Sequence, residues 1–510
     1  MATRLSNYRA TVRKVTPQGK DNDYKPGDVA RFVLPSNTLV DFKSLAMHFK
    51  GTTDATDNTK GVVLFPSLTT SLIDQIIVSA GGVQIETTPR QWGQLVKMLD
   101  DFTSGSDKRR CRTLLQNERM AGLVTATGDF YKAGVTPQDA VEGYPTLKPG
   151  AREVDRRFAI DEWPGCFIGT VNPSIISTAL TGDITLEFRF APNSVLVSSK
   201  LVGFKPNETD TDGVTNMEID GEEVDAVTGT PAAIGTDQAP SNPTYWLDDL
   251  HLSVKTIDIS DGQFYDWLKS EITSEPLTLP FQHFVMQPGQ TTAAGSADQT
   301  TRMTVNSSSV DYLLGTFIGA DYEDGTVLPG AGEIFTTPKG RNAAGSAGLS
   351  YPPTYKRQGT YGNTGTSRYF QRGGVDASQD FESTFNSVNN VPLDYPADLP
   401  TVWNKVKNEF NLGKTQGTNL NPRLETLTHF AQGFFVVPCR LNFNTGEPDN
   451  SRYLSGLDSR NSTVNILWKT RGKLENKANN STGQQAIPQI WCATTSILRV
   501  SSGRILDLVM

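Results

Sequence analysis

Pro89-Arg90-Gln91-Trp92-Gly93-Gln94-Leu95-Val96-Lys97-Met98-Leu99 and Pro400-Thr401-Val402-Trp403-Asn404-Lys405-Val406-Lys407-Asn408-Glu409-Phe410 are two short amphipathic helix signals, one in each half of the chain. In the first, Trp92, Leu95, Val96 and Leu99 fall at i, i+3, i+4 and i+7; in the second, Trp403, Val406 and Phe410 fall at i, i+3 and i+7. The spacing predicts helices over 89–102 and 399–411, with Trp92 and Trp403 as structural anchors that close the end of a sheet. The segments downstream of each helix decide the fold. Each helix leads into a polar loop and then an apolar run ending at an Asn, Cys166 to Asn172 and Val436 to Asn442. A β-rich run comes next, Ile184–Phe190 or Val464–Trp468. Each half then closes on a strand entered through a Trp, Trp246 to Ile259 and Trp491 to Val500. One order of elements in two near-equal halves reads as two copies of one β domain.

The rest of the chain fits that reading. Val29–Leu34, Leu39–Phe49, Leu72–Val78 and Val83–Glu86 have the alternation or β-branching of strands, as do Arg302–Val305 and Leu313–Ile318. At 510 residues the chain is too long for one ordinary core. Its 45 Gly and 29 Pro favour strands joined by long loops over helix bundles. The fold class expected is all-β, two tandem β-sandwiches with short helices and long surface loops. Domain boundaries are placed at 1–23 for an N-terminal arm, 24–260 for the first sandwich and 261–510 for the second. Two segments stand out as long excursions with little apolar periodicity, 201–244 and 321–380.

Charge is distributed unevenly. The net charge is -8, so bulk charge does not make the molecule a nucleic-acid binder. Yet Arg4, Arg9, Arg13, Lys14 and Lys20 precede any acidic residue, and a second basic cluster runs Lys108-Arg109-Arg110-Cys111-Arg112. Excursion 201–244 is the opposite, with Glu208, Asp210, Asp212, Glu218, Asp220, Glu222, Glu223, Asp225 and Asp237 against Lys205. Excursion 321–380 is rich in Gly and Tyr.

The chain carries no complete catalytic motif. Gly413-Lys414-Thr415 resembles the end of a phosphate-binding loop, but Asn408 stands where that loop needs Gly. His48, His251 and His283 fall within strand-like runs and His429 lies beside Phe430, so each reads as a satisfied sheet histidine. Asp248-Asp249 are adjacent in a strand and point to opposite faces, so they do not form a working carboxylate pair. Cys111, Cys166, Cys439 and Cys492 have no metal-ligand spacing and read as small core hydrophobes. No enzyme activity, cofactor, metal or small-molecule substrate is expected. No apolar run approaches the roughly 18 residues of a membrane span, and the first residues do not form a secretory signal. Synthesis in a reducing cytoplasm is the expectation.

The segments Phe158-Ala159-Ile160-Asp161-Glu162-Trp163-Pro164 to Leu196 and Phe434-Phe435-Val436-Val437-Pro438-Cys439-Arg440-Leu441-Asn442-Phe443-Asn444 to Trp468 carry a resemblance. With Leu454-Ser455-Gly456-Leu457 before a strand, they resemble the double jelly-roll major capsid proteins of virophages and polinton-like double-stranded DNA viruses, the adenovirus and tailless-phage lineage. The likeness spans about Tyr24 to Met510. It implies two jelly rolls per chain and a homotrimer that forms a pseudo-hexagonal tile of an icosahedral virion shell. It also implies contacts with neighbouring capsomers and with penton or minor capsid proteins. The excursions would pack across subunits, the acidic one facing outward. The basic arm would face inward or cross to a neighbour, meeting genome phosphates or an internal membrane, and would become ordered only on assembly. The alternative from another class is a tandem β-sandwich that binds or processes carbohydrate, which needs a concave cluster of Trp and Tyr with carboxylates.

Overall fold

The architecture comes from a computed structural model. It describes residues 8–56, 62–103, 151–209, 215–224, 242–259, 262–290, 298–319, 333–335, 374–375, 381–387, 391–412, 430, 435–441, 456–460, 465–475, 486–501 and 505–509, except positions 21, 67, 153, 203, 220, 221, 411 and 473.

Four antiparallel sheets carry the fold. Sheet I has the order β1 (Tyr8–Val15), β15 (Thr244–Ile259), β3 (Leu39–Asp54), β8 (Arg156–Ile160), with β9 (Ile175–Ser177) also on β3. Sheet II has the order β2 (Val29–Val33), β10 (Ile184–Phe190), β5 (Ile73–Ala80), β6 (Val83–Thr87). The second half repeats the pattern. Sheet III runs β16 (Leu277–Pro288), β25 (Ala486–Ser501), β18 (Val310–Gly319), β22 (Val437–Arg440), with β26 (Ile505–Val509) also on β25. Sheet IV is β17 (Asp298–Thr304), β23 (Asn465–Arg471), β21 (Glu382–Asn386). Both sandwiches have a long strand of 16 residues next to the edge of their larger sheet, β15 and β25.

Alternation explains why these strands face as they do. In β10 the residues Ile184, Leu186, Phe188 and Phe190 are buried and those between are not fully so. Phe188 meets Phe32 edge-on at 5.9 Å, and Phe190 meets Tyr24 at 5.7 Å. In sheet IV, Trp468 lies between Phe317 and Phe385, and its Nε1 donates to Ser383 Oγ at 2.8 Å. Gly315 of β18 permits that packing, since a Cβ there would come within 2.6 Å of the Trp468 ring.

Smaller sheets lie between these. β4 (Val62–Leu64) pairs with β11 (Val197–Val202) and, in parallel, with β7 (Ala151–Arg152). Excursion 201–244, expected as loop, contains the three-stranded sheet β12 (Phe204–Thr209), β13 (Thr215–Ile219), β14 (Glu222–Val224). Within 321–380, β19 (Glu333–Phe335) pairs in parallel with β11, and β20 (Gly374–Val375) pairs with β24 (Leu474–Glu475). All other positions of 321–380 lie outside the described residues, as do 210–214, 220, 221 and 225–241 of the acidic excursion, Arg4, the cluster Lys108–Arg112, Gly413-Lys414-Thr415 and His429.

Helices α1 (Trp92–Thr103) and α3 (Leu399–Glu409) sit where the spacing placed them. In α1 the expected Trp92, Leu95 and Val96 are in the core, whereas Leu99 is only partly buried and Met98 is buried instead. In α3 it is rotated: Leu399, Val402 and Val406 are buried, and Trp403 and Phe410 are only partly so. Asp398 caps that helix by accepting the Thr401 N–H at 2.9 Å, and Pro400 lies in its first turn. A further helix, α2 (Gly262–Ser274), joins the two halves and was not anticipated. The expected equivalence of 166–172 with 436–442 fails: Phe167–Thr170 is a single helical turn, whereas Val437–Arg440 is a strand. No helix among the described residues is long and apolar enough to cross a membrane.

Candidate assembly surfaces

The two long strands fix a polarity. β15 starts at Thr244, where the acidic excursion ends, and finishes at Ile259, three residues before α2. Tyr8, the first residue of β1, lies opposite Ile259. β16 begins at Leu277 just after α2, opposite Val500. The far end of β25, at Ala486, lies opposite Gly319, from which the second excursion departs. Both excursions therefore leave from one end of the sheets, and α2 and the start of β1 occupy the other. A 16-residue strand separates those ends by about 50 Å.

The N-terminal segment departs from its expected behaviour. Residues 8–15 form β1, an edge strand paired along its whole length with β15 of the same chain. Arg13 reaches Asp258 at 2.7 Å, Lys14 reaches Asp249 at 3.3 Å, and Lys20 reaches Asp28 at 2.7 Å and covers the Tyr24 ring. Three of the five basic residues are thus engaged within their own chain. Asp258 is held below the usual carboxylate range, first by a hydrogen bond from Thr38 and then, against partial burial, by Arg13. These pairs are half-exposed, so each contributes at most about 1 kcal/mol. Arg9 is exposed on β1, beside the same Asp258.

A second surface is the junction of the two halves. The turn Phe167–Thr170 meets strand β16: Phe167 and Phe281 pack edge-on at 5.0 Å, and Phe42 packs on Phe167 at 5.6 Å. Thr170 Oγ1 lies 2.8 Å from the Gln282 carbonyl oxygen and accepts the Gln282 N–H at 3.0 Å, while the Asn172 N–H donates to the Pro280 carbonyl. Gln489 Nε2 donates to Gln91 Oε1 at 3.0 Å, and Phe102 of α1 stacks on Phe410 beyond α3. The buried side chains of both halves form one continuous hydrophobic cluster. Trp92 is fully buried in it, stacked on Trp163 at 6.4 Å; Trp403 packs from its margin on Phe430 at 5.0 Å. Sequence reading named the two tryptophans but missed Thr170, Gln282, Phe102 and Glu86, whose roles depend on contacts between distant segments.

Groups that could do chemistry are spread across the sheets. His48 and His251 are cross-strand partners on β3 and β15, with rings stacked 5.1 Å apart; His48 Nε2 lies 2.8 Å from Ser253 Oγ. His283 is half-buried and bonded to Thr494 Oγ1 at 3.0 Å, and loss of hydration there lowers its pKa to about 4. Cys166, Cys439 and Cys492 are buried free thiols whose pKa values burial raises. Asp248 and Asp249 lie at a register shift rather than in regular strand, and Asp248 Oδ1 accepts the Asp23 N–H at 2.8 Å while Asp249 faces Lys14. Trp92, Trp163, Trp468 and Trp491 are buried, which removes them from any sugar-binding face.

No protein-family model matches this sequence, and no curated protein matches it. Among solved structures, the PBCV-1 virus capsid matches over 100% of this chain and 98% of its own, at 14% identity and a TM-score of 0.52. The chain has the double jelly-roll fold. The Faustovirus major capsid protein is also similar, at 10% identity, 98% and 92% coverage and a TM-score of 0.49. The Sputnik virophage structure gives 10% identity, 100% and 90% coverage and a TM-score of 0.47. The double jelly roll accounts for the paired sheets, the duplicated helix and the excursions gathered at one end.

Proposed function

We propose that this chain is a major capsid protein, three copies of which close a pseudo-hexagonal tile of an icosahedral shell around a viral DNA genome. The observation that carries the reading is the polarity of the fold. Two jelly rolls stand side by side, their excursions at one end and their N-terminal strand and linking helix at the other. A tile needs that division, with one end for the outside and one for the interior. Tandem jelly rolls give each subunit two similar flanks, so heterologous contacts among three copies can close a ring. The likeness to the PBCV-1 virus capsid, which extends along the full chain, supports the assignment.

In this reading the arm is 1–23, the first jelly roll 24–260 and the second 261–510. The acidic excursion 201–244 faces outward, where like charge keeps particles dispersed, and 321–380 packs beside it across subunits. The interior end offers Arg4 and Arg9 to genome phosphates, an internal membrane or a neighbouring capsomer. Arg13, Lys14 and Lys20 instead brace the edge of sheet I. Partners are other copies of the chain, neighbouring capsomers and penton or minor capsid proteins, and the protein resides in the virion after synthesis in the host cytoplasm. Its work is structural, without a catalytic step. Limited proteolysis of assembled particles tests the polarity: cleavage within 201–244 with protection of 1–20 is expected, and the reverse pattern overturns it.

A further inference from the structure

Glu86 lies in β6 with its carboxyl turned into the junction of the two jelly rolls, 4% exposed. Oε2 accepts the Phe167 N–H at 2.6 Å, while Oε1 is buried without a hydrogen-bond partner. Phe167 opens the turn that ends at Thr170, and Thr170 Oγ1 accepts the Gln282 N–H of β16 while lying 2.8 Å from both the Gln282 and the Cys166 carbonyl oxygens. A chain of contacts therefore runs from Glu86 through one helical turn to the second jelly roll. Beside it, edge strands β6 and β16 flank a cleft of about 430 Å³ lined by Gln84, Thr87, Phe284 and Met286.

We propose that Glu86 is a proton-operated latch between the two jelly rolls: the neutral carboxyl holds the Phe167–Thr170 turn against β16, and the carboxylate releases the turn and wets the cleft.

The environment decides the direction. Burial pushes the Glu86 pKa up to about 8, opposed by the Phe167 N–H. His283 faces the same cleft from β16 and stays neutral, because burial lowers its pKa. The Cys166 thiol precedes the turn, and its own pKa is raised by burial and then by Glu86. Among the described side chains, the remaining ionisable groups on the packed elements are Asp74 on β5 and Lys97 and Asp100 on α1, and none of them shifts Glu86. Among the described residues, a carboxylate formed here has one N–H donor and no cation, too little to replace its hydration. Water must follow the charge, and the adjoining cleft is its nearest route. The latch is a property of the single chain and does not depend on the assembly it enters.

Hydrogen exchange of the full chain, compared with Glu86→Gln at matched pH from 4.5 to 9, tests this. The Gln side chain keeps the acceptor oxygen and the size but cannot ionise. Nearly equal protection across 163–172 is expected at pH 4.5, the ordinary value of the carboxyl, with the gap widening as pH rises to about 8. By pH 9 the unmodified chain should exchange there at least tenfold faster than the variant, while 184–190 in sheet II remains alike in both. Equal protection of 163–172 at every pH overturns the latch, and so does a loss that spreads equally to 184–190. Should the variant not fold, the unmodified chain decides alone. Its protection over 163–172 relative to 184–190 must fall between pH 6.5 and 8, and a constant ratio overturns the proposal.

Discussion

Phe102, near the C-terminal end of α1, stacks on Phe410, just beyond the C-terminal end of α3, with ring centroids 5.0 Å apart and planes 14° from parallel. The duplicated helices thus touch through corresponding ends, and the repeat in the sequence becomes a contact in the fold. Phe102 is 2% exposed, so Phe102→Ala should cost roughly 3–5 kcal/mol in chemical denaturation. A double-mutant cycle with Phe410→Ala should return a coupling of about 0.5–1.5 kcal/mol. Additive effects would show that the two helices do not support one another.

Stability should depend on pH through two groups at the junction, buried Glu86 and half-buried His283. Glu86, with an ordinary value of 4.5 and a folded value of about 8, keeps a proton that the unfolded chain loses, so stability falls as pH rises from 4.5 to 8. His283, with an ordinary value of 6.5 and a folded value of about 4, refuses a proton that the unfolded chain takes up, so stability falls as pH drops from 6.5 towards 4. The two slopes offset one another between 4.5 and 6.5, where stability should be highest as far as these groups decide it. Glu86→Gln should remove the alkaline slope, raising stability near pH 8 by up to about 4–5 kcal/mol at about 1.4 kcal/mol per pH unit. Melting temperatures across pH 4–9 check both limbs.

Gly169 permits the turn that docks β16. A Cβ there would lie 1.8 Å from the Trp163 carbonyl oxygen, a backbone atom that cannot give way as a side-chain tip could. Gly169→Ala should therefore cost about 3 kcal/mol or more, read from the denaturant midpoint. An unchanged midpoint would mean that the turn is not held against β16.

These contacts mark where sequence reading stops. The helix at 92–103 was legible because its apolar residues repeat at helical spacing, and the strand at 184–190 because its residues alternate. The helix at 262–274 was not. Its apolar residues do not form a buried face, since Trp267 is 53% exposed. β1 was hidden for a different reason: Arg9, Arg13 and Lys14 interrupt its pattern, and its strand character comes from pairing with β15, some 245 residues away. Glu86 was misleading by alternation, since Ile85 should face the core and Glu86 should not. A register shift beside Ile85 leaves both buried. Such features arise from long-range pairing, which local spacing does not encode.

The N-terminal strand separates two effects. Removing residues 1–20 should leave the trimer intact but impair shell formation, and shells of the full chain should loosen as salt rises. Because β1 covers the edge of sheet I, the same truncation should also lower the stability of the subunit. Arg13→Ala, which breaks only a half-exposed pair, should change subunit stability by less than about 1 kcal/mol. Shell yield and salt tolerance, measured beside subunit melting, tell the contributions apart.

The central claim is that three copies of this double jelly roll make a tile. Light scattering of the purified chain at micromolar concentration, with negative-stain images of the same sample, tests it most directly. A mass of three chains and particles of pseudo-hexagonal outline are predicted. A monomer at that concentration, with single two-lobed particles in the images, would contradict it.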